Sequence, residues 1–467
     1  MYKIKDESIF KAYDVRGIYG DGLDEEIVNL IGRAFGSYVI RAGGKTVVVG
    51  RDIRESSPVL TKTFIAGLLA SGCDVRDMGV VVTPNTYYAS NKYEDIDASA
   101  MITASHNPAN YNGVKMNHNK SSLPTAEIMK LKEMIINEDF ESGEGSLTEM
   151  PQAIDDYLMD IAVKNKLNRP LKLVVDPSNS VAALVMPKLA ELMGFELVMV
   201  NDEIDPKFSA HSPDPVVLAN YQDLVAKIGE CKADIGVMYD GDADRVGFVD
   251  NEGNVWFGDK IQMLLARDIL PKFPGRNVIV ELKNSEAVVE EVTKLGGVPI
   301  FGQTGHTLIE EKLKENKAVL AAEMSCHYYI ADEWFEFDDA IYALARVMQI
   351  ISSSEKSFAE LMADIPNYPA TPEYRVAVPA DKQTEIVKEV VDYFKDKCDR
   401  YLDIDGIRGY VFNGWFLVRS SNTQPIISVR AEAHTEADLE KIKVFIKEKL
   451  DTIEGVNLDW GRQVDEA

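Results

Sequence analysis

The sequence predicts an α/β protein: three related α/β domains with parallel or mixed sheets, followed by a smaller α+β domain. Three observations predict it. Short Val/Ile-rich runs alternate with helix-length amphipathic segments, the pattern of largely parallel sheets covered on both faces. The same strand-helix-strand unit recurs along the chain, which suggests several related domains rather than one large sheet. The final section changes character, pairing amphipathic helices with short β-like runs that suit an antiparallel sheet.

The elements follow in order. KTVVVGRD (45–52) reads as a strand entering a turn and PVLTKTFIAGLLASG (58–72) as the next helix. LKLVVDPSNS (171–180), VAALVMPKLAELMG (181–194) and FELVMV (195–200) repeat the unit, as do RNVIVELKNS (276–285), EAVVEEVTKLGG (286–297) and VPIFG (298–302). In the last section TEIVKEVVDYFKDKC (384–398) and EADLEKIKVFIKEKL (436–450) read as helices around GWFLVRSS and PIISVRAEA. Gly, Pro and charge interrupt the periodicity near 142–152, 252 and 364–373. The expected domains are therefore 1–151, 152–252, 253–366 and 367–467.

Composition bounds the function. The 467 residues are 46% hydrophobic and 27% charged, as in ordinary globular proteins. With 50 basic and 76 acidic residues the net charge is −26, which excludes nonspecific binding to nucleic acid or an anionic membrane. An anionic ligand must therefore be met by local basic groups. MYKIKDESIF lacks the apolar core of a secretory signal, and no run of 18 apolar residues occurs. Cys73, Cys231, Cys326 and Cys398 are far apart without CxxC spacing, so a reducing cytoplasm is the expected location.

Two stretches carry most of the chemistry. Thr103-Ala104-Ser105-His106-Asn107-Pro108 sets a hydroxyl beside an imidazole at the end of a strand; alone it reads equally as a polar loop. Asp240-Gly241-Asp242-Ala243-Asp244-Arg245 lies between the strands ADIGVMY and VGFVD. Its alternating carboxylates repel unless a cation relieves them, and hard oxygen ligands favour Mg²⁺ or Ca²⁺. An EF-hand loop fails, because its Gly position would be Arg245 and its terminal Glu position Asn251.

Weaker clusters also fall at strand ends, where open α/β sheets bind ligands. Glu323 and Ser325, two apart in AEMSCH, suit hydroxyl recognition, with His327 close behind. Arg419-Ser420-Ser421-Asn422-Thr423-Gln424-Pro425, with Arg430 nearby, makes a phosphate cradle. Tyr13-Asp14-Val15-Arg16-Gly17, Lys115 and Thr304-Gly305-His306 add basic and aromatic groups that could equally be surface or structural side chains.

Taken together, YDVRG, TASHNP, GVK, DGDADR, TGH, EMSCH and RSSNTQP, in this order along almost the whole chain, resemble the α-D-phosphohexomutase superfamily, most closely its bacterial and archaeal phosphomannomutase/phosphoglucomutase group. The resemblance implies a central active-site cleft among the four domains and interconversion of hexose 1-phosphate and hexose 6-phosphate, of mannose and possibly glucose. Ser105 would carry a phosphoryl group. Asp240, Asp242 and Asp244 would hold Mg²⁺, which also takes a phosphoserine oxygen. Arg16, His106, Lys115 and Arg245 would line the transfer region, with Lys115 or His106 carrying the proton. Tyr13, Lys283, His306, Glu323, Ser325 and His327 would contact the substrate. Arg419, Ser421, Asn422, Thr423 and Arg430 would bind the non-reacting phosphate. A hexose 1,6-bisphosphate is the implied intermediate and activator, sugar phosphates the implied partners, and a monomer or small homo-oligomer the implied assembly.

Two departures from the group stand out. Cys326 replaces a Gly in the sugar loop, and Gln303 stands where many relatives carry Arg. Cys cannot adopt positive φ cheaply, which puts the conformation of that loop in question. Two rival functions remain: a hydrolase using Asp240 as nucleophile, which leaves TASHNP and RSSNTQP without roles, and a sugar-phosphate sensor, which has no need of Ser105 with three Asp.

Overall fold

A computed structural model describes residues 2–379, 381–420 and 426–460. Its first three sheets are built on one plan. A central strand, Thr46–Arg51, Lys172–Asp176 or Asn277–Glu281, is flanked on one side by a parallel strand, Asp74–Val80, Glu196–Met199 or Val298–Gly302. On its other side lies a second parallel strand, Ala98–Ile102, Ile235–Tyr239 or Leu320–Ala322. That strand turns back into an antiparallel partner, Tyr111–His118, Val246–Asp250 or Tyr328–Ile330. The fourth sheet is antiparallel throughout, with Gly414–Ser420 and Ile426–Ala433 at its centre.

The three sheets are therefore mixed, less parallel than Val/Ile runs such as VGFVD suggest. Val246–Asp250 is buried along its whole length although it runs antiparallel. Burial on both faces writes a continuous apolar run in either direction, whereas the short loop before it forbids a parallel crossover. The second sheet also continues past the expected break at 252, because the turn at Gly253 is a hairpin that pairs Val255–Trp256 with Phe248 and Val249.

The fold packs the second and third domains around a shared core. Tyr157, Leu173, Val237, Val280, Leu320 and Leu344 belong to one buried cluster, joined by Tyr87 and Tyr88 from the first domain. Trp334 stacks on Tyr342 with centroids 4.6 Å apart and packs against Tyr88 and Tyr157. The fourth domain has its own core, around Val390, Phe394, Phe416 and Ile442.

A buried Arg helps tie that fourth domain on. Arg408 donates through Nη1 to Leu282 O at 2.7 Å and Asn284 O at 2.9 Å, and through Nη2 to Glu286 Oε2 at 2.8 Å. Its guanidinium lies 3.7 Å from the Trp415 ring centroid. Glu432 completes the joint by accepting from the Glu286 amide at 2.8 Å, at the positive end of helix Glu286–Lys294. Arg408→Ala strands two carbonyls and removes one partner of Glu286, which keeps Arg400 and the Tyr410 hydroxyl, a loss of about 1–3 kcal/mol for each buried acceptor left unpaired. The expected outcome in limited proteolysis is faster cleavage between the third and fourth domains while the first domain stays protected.

Candidate active site

In each of the first three domains the candidate residues cluster in the turn after the second parallel strand. These are the loops 103–110, 240–245 and 323–327. Each contains a non-glycine residue in the left-handed region: Ser105 (φ 51°), Ala243 (φ 58°) and Cys326 (φ 71°). Such a residue costs roughly 1–2 kcal/mol and persists where the surroundings enforce it.

Ser105 is buried, and its Oγ donates to Asp240 Oδ2 at 2.7 Å and lies 3.2 Å from His106 Nδ1. Gly241 permits this approach, since a Cβ there would sit 2.4 Å from the Ser105 carbonyl oxygen. Lys115, on the strand Tyr111–His118, reaches across the domain boundary to Asp242 Oδ2 at 2.8 Å and makes a second close contact with Asp244 Oδ2. Arg245 donates from Nε to His327 Nε2 at 2.9 Å, and its backbone amide bonds Asp240 Oδ1 at 3.2 Å. Arg16 donates to Asn107 Oδ1 at 2.6 Å, which ties it to the serine loop.

The third domain closes the opposite wall. Glu323 is buried, accepting from the Gly305 amide at 3.1 Å and the Tyr329 hydroxyl at 3.1 Å. His306 stacks on His327 at 5.8 Å and meets the Tyr13 ring edge-on at 5.6 Å, while the Tyr13 hydroxyl donates to Thr304 O at 3.0 Å. Gly258, the first residue of helix Gly258–Ile269, lets that helix approach the third loop, because a Cβ there would lie 1.8 Å from Glu323 O. Ser325 is half-buried on the same loop. Lys283 sits 3.4 Å from both Glu281 and Glu373.

From the fourth domain, Arg419 pairs with Asp405 at 2.7 Å and Arg430 touches the Met324 sulfur. Ser421, Asn422 and Thr423 lie outside the described residues. Gln303 bonds Ile404 O at 2.5 Å, so the residue standing in place of an Arg also links the third domain to the fourth.

Burial and charge together set the ionisation. Burial, with repulsion from Asp244 and Asp242, pushes Asp240 well above the usual carboxylate range. Burial acts on Asp244 too, but Lys115, His327 and Arg245 outweigh it and hold that carboxyl below its ordinary value. Lys115 is raised, because Asp242, Asp244 and Asp240 outweigh its desolvation. Burial, Arg245 and Arg16 keep His106 well below the usual imidazole value, and burial carries His306 down to about 4.

The carboxylate loop fits a divalent cation. Asp240, Asp242 and Asp244 each offer an oxygen within 4.8 Å of the others, and all three are buried. Among the described residues, Asp242 Oδ1 and Asp244 Oδ1 have no hydrogen-bond partner. Buried, unpaired anionic oxygens are costly, and hard oxygen donors suit Mg²⁺.

Family comparisons agree with this geometry. The phosphoglucomutase/phosphomannomutase alpha/beta/alpha domains I, II and III match residues 7–142, 154–253 and 257–368, and the C-terminal domain of that family matches 373–449. The chain belongs to the phosphoglucomutase/phosphomannomutase family. It is 38% identical over 447 residues to a Pseudomonas aeruginosa phosphomannomutase/phosphoglucomutase, covering 96% of each chain. A Methanocaldococcus jannaschii phosphomannomutase is 31% identical over 460 residues, covering 97% of this chain and 98% of its own. The crystal structure of a Burkholderia thailandensis phosphoglucomutase/phosphomannomutase family protein superposes with a TM-score of 0.91 at 38% identity, covering 97% of this chain and 99% of that one.

Within this phosphoglucomutase/phosphomannomutase chain, two contributors escaped the sequence reading. Arg54 is fully buried and spends all five N–H groups: on Asp52, and on the carbonyls of Ser105 (2.8 Å), Asn107 (2.7 Å), Pro108 (2.6 Å) and Tyr111 (3.1 Å). The signal was the RDIR charge pattern directly after the strand at 46–51. Asp338, from the FDD run, lies 2.7 Å from His327 Nδ1. Arg245 donates to the other ring nitrogen, Nε2, and the approach of Nδ1 to Asp338 is a close ion-pair contact without the alignment of a hydrogen bond. Burial and Asp244 push Asp338 up to about 7.

Two outcomes are expected. Arg54→Lys replaces a planar five-donor fork by a point charge that cannot reach four carbonyls, so both the melting temperature and kcat should fall. Cys326 already holds the left-handed turn, so Cys326→Gly should leave KM for the sugar phosphate at its wild-type value in steady-state assays.

Proposed function

We propose that this chain is a Mg²⁺-dependent phosphohexomutase acting on mannose phosphate, and on glucose phosphate as well, through a phosphoserine at Ser105 and a hexose 1,6-bisphosphate. The observation that carries this reading is the Ser105 hydroxyl, 2.7 Å from Asp240, within a buried set of three Asp and Lys115, with the half-buried Arg245 beside them. A serine hydroxyl is a weak nucleophile and a poor leaving group unless assisted. A bound Mg²⁺ would supply charge neutralisation at the phosphoserine and at the phosphoryl oxygens.

The remaining work falls to the chain's own residues. Lys115 and Arg245 lie beside the carboxylates, where they stabilise charge spread over the moving phosphoryl oxygens. His106, kept neutral, can take or return a proton at the Ser105 Oγ, 3.2 Å from its Nδ1. Glu323, Ser325 and His327 would hold the sugar hydroxyls, and Tyr13, Lys283 and His306 would line the opposite wall. Arg419, Ser421, Asn422, Thr423 and Arg430 would bind the phosphate not being transferred. In the first half-reaction the phosphoryl group leaves Ser105 for the free sugar hydroxyl, whose proton returns to Oγ. The bisphosphate then turns over, and its other phosphate goes back to Ser105.

Placement in the cytoplasm accords with the reduced, scattered cysteines. Among the described residues, no helix is long and apolar enough to cross a membrane.

Phosphorus NMR of the protein with Mg²⁺, mannose 1-phosphate and a trace of glucose 1,6-bisphosphate tests the proposal. Mannose 6-phosphate should form without free phosphate, and Ser105→Ala should abolish conversion while retaining substrate binding. Release of inorganic phosphate as the main product would assign the chain to hydrolysis instead. Chelation by EDTA should stop turnover, with recovery on adding Mg²⁺.

A further inference from the structure

Asp242 is held by a residue outside its own domain. Thr83 begins the helix Thr83–Lys92 of the first domain and is fully buried. Its amide donates to Asp242 O at 2.9 Å and its hydroxyl to Asp242 Oδ2 at 2.6 Å. The helix start does not use that hydroxyl as a cap, since the residue ahead of it is Val82 and no side chain caps the first turn. Thr86 Oγ1 in turn donates to Thr83 O at 2.9 Å, fixing Thr83 from behind. Lys115 Nζ takes the same Oδ2 at 2.8 Å. Both donors fall on one carboxylate oxygen, leaving buried Oδ1 without a hydrogen-bond partner among the described residues.

We propose that Thr83 is a positioning residue for the metal site: by occupying Oδ2 and the main chain of Asp242 it fixes the carboxylate and leaves Oδ1 as the oxygen available to the cation. The inference rests on the reading of the 240–245 loop as a divalent-cation site. A hydroxyl that orients a ligating carboxylate acts as such outer partners commonly do, and losing one lowers metal affinity about 10–100-fold. Because Thr83 belongs to the first domain and Asp242 to the second, a cation bound through Asp242 also strengthens the contact between those domains.

The test is Mn²⁺ binding to the full chain, followed by electron paramagnetic resonance and calorimetry, with melting temperatures in EDTA and in Mn²⁺. Thr83→Val keeps shape and removes the hydroxyl. Its Kd for Mn²⁺ should rise at least about tenfold, whereas Thr83→Ser should bind near the wild-type value. The gain in melting temperature on adding Mn²⁺ should shrink in Thr83→Val and persist in Thr83→Ser. Should Thr83→Val fail to fold, Thr83→Ala against Thr83→Ser gives the same comparison. Equal Kd values for wild type and the hydroxyl-less variants, with only a lower melting temperature in EDTA, would overturn the inference and leave Thr83 a packing residue. Absence of Mn²⁺ binding by the wild type would instead overturn the metal reading itself, and this inference with it.

Discussion

The site depends on one ammonium group. Lys115 comes from a strand of the first domain and lodges between Asp242 and Asp244 of the second, buried on all sides. Three carboxylates in a dry interior would distort the single loop that carries them unless opposite charge were supplied. Lys115 and Arg245 supply part of it from fixed positions, and two cations do not balance three carboxylates. The remaining imbalance is what a bound cation would relieve. Because the balancing Lys belongs to another domain, the same interaction also sets how the first two domains sit against each other.

Similar pairings recur among the other candidate cations, two of them across a domain boundary. Lys283 of the third domain is shared by Glu281 and by Glu373 at the start of the fourth. Arg419 is held by Asp405, and Arg430 reaches the Met324 sulfur in the sugar loop. Cations proposed to meet a phosphate thus have carboxylate or thioether partners within the chain. Desolvated guanidinium and ammonium groups need such partners, and a phosphate that takes them over must offer a stronger charge-assisted contact. The overall charge of −26 makes this local arrangement necessary.

Much of this was legible in the sequence, for identifiable reasons. TASHNP and DGDADR announce themselves because hydroxyl, imidazole and carboxylates cluster where apolar strands end. Ser105 and the three Asp do meet, through contacts between residues 135 positions apart such as Ser105 to Asp240. Strand direction was less legible, since VGFVD is buried on both faces in an antiparallel hairpin. Arg54 and Asp338 were invisible for a different reason. Each acts by what it touches in three dimensions, four loop carbonyls in one case and an imidazole in the other, and a lone Arg or Asp at a strand end reads as a surface group. Cys326 was the reverse case: the substitution for Gly pointed correctly to a position needing positive φ, and the buried thiol now holds that turn.

The repeated hairpin bears on how such a chain can vary over generations. Ser105, the Asp240–Asp244 set and Glu323 all follow the end of the equivalent strand, so each reactive group is indexed to the pleat of its own sheet. One residue inserted within any of these three strands would turn the succeeding side chains to the opposite face. The same insertion in a surface connection, such as the exposed stretch around 141–149, would displace none of them. Length variation should therefore be confined to the rim of the molecule, while the distance from strand end to reactive group stays invariant in all three copies.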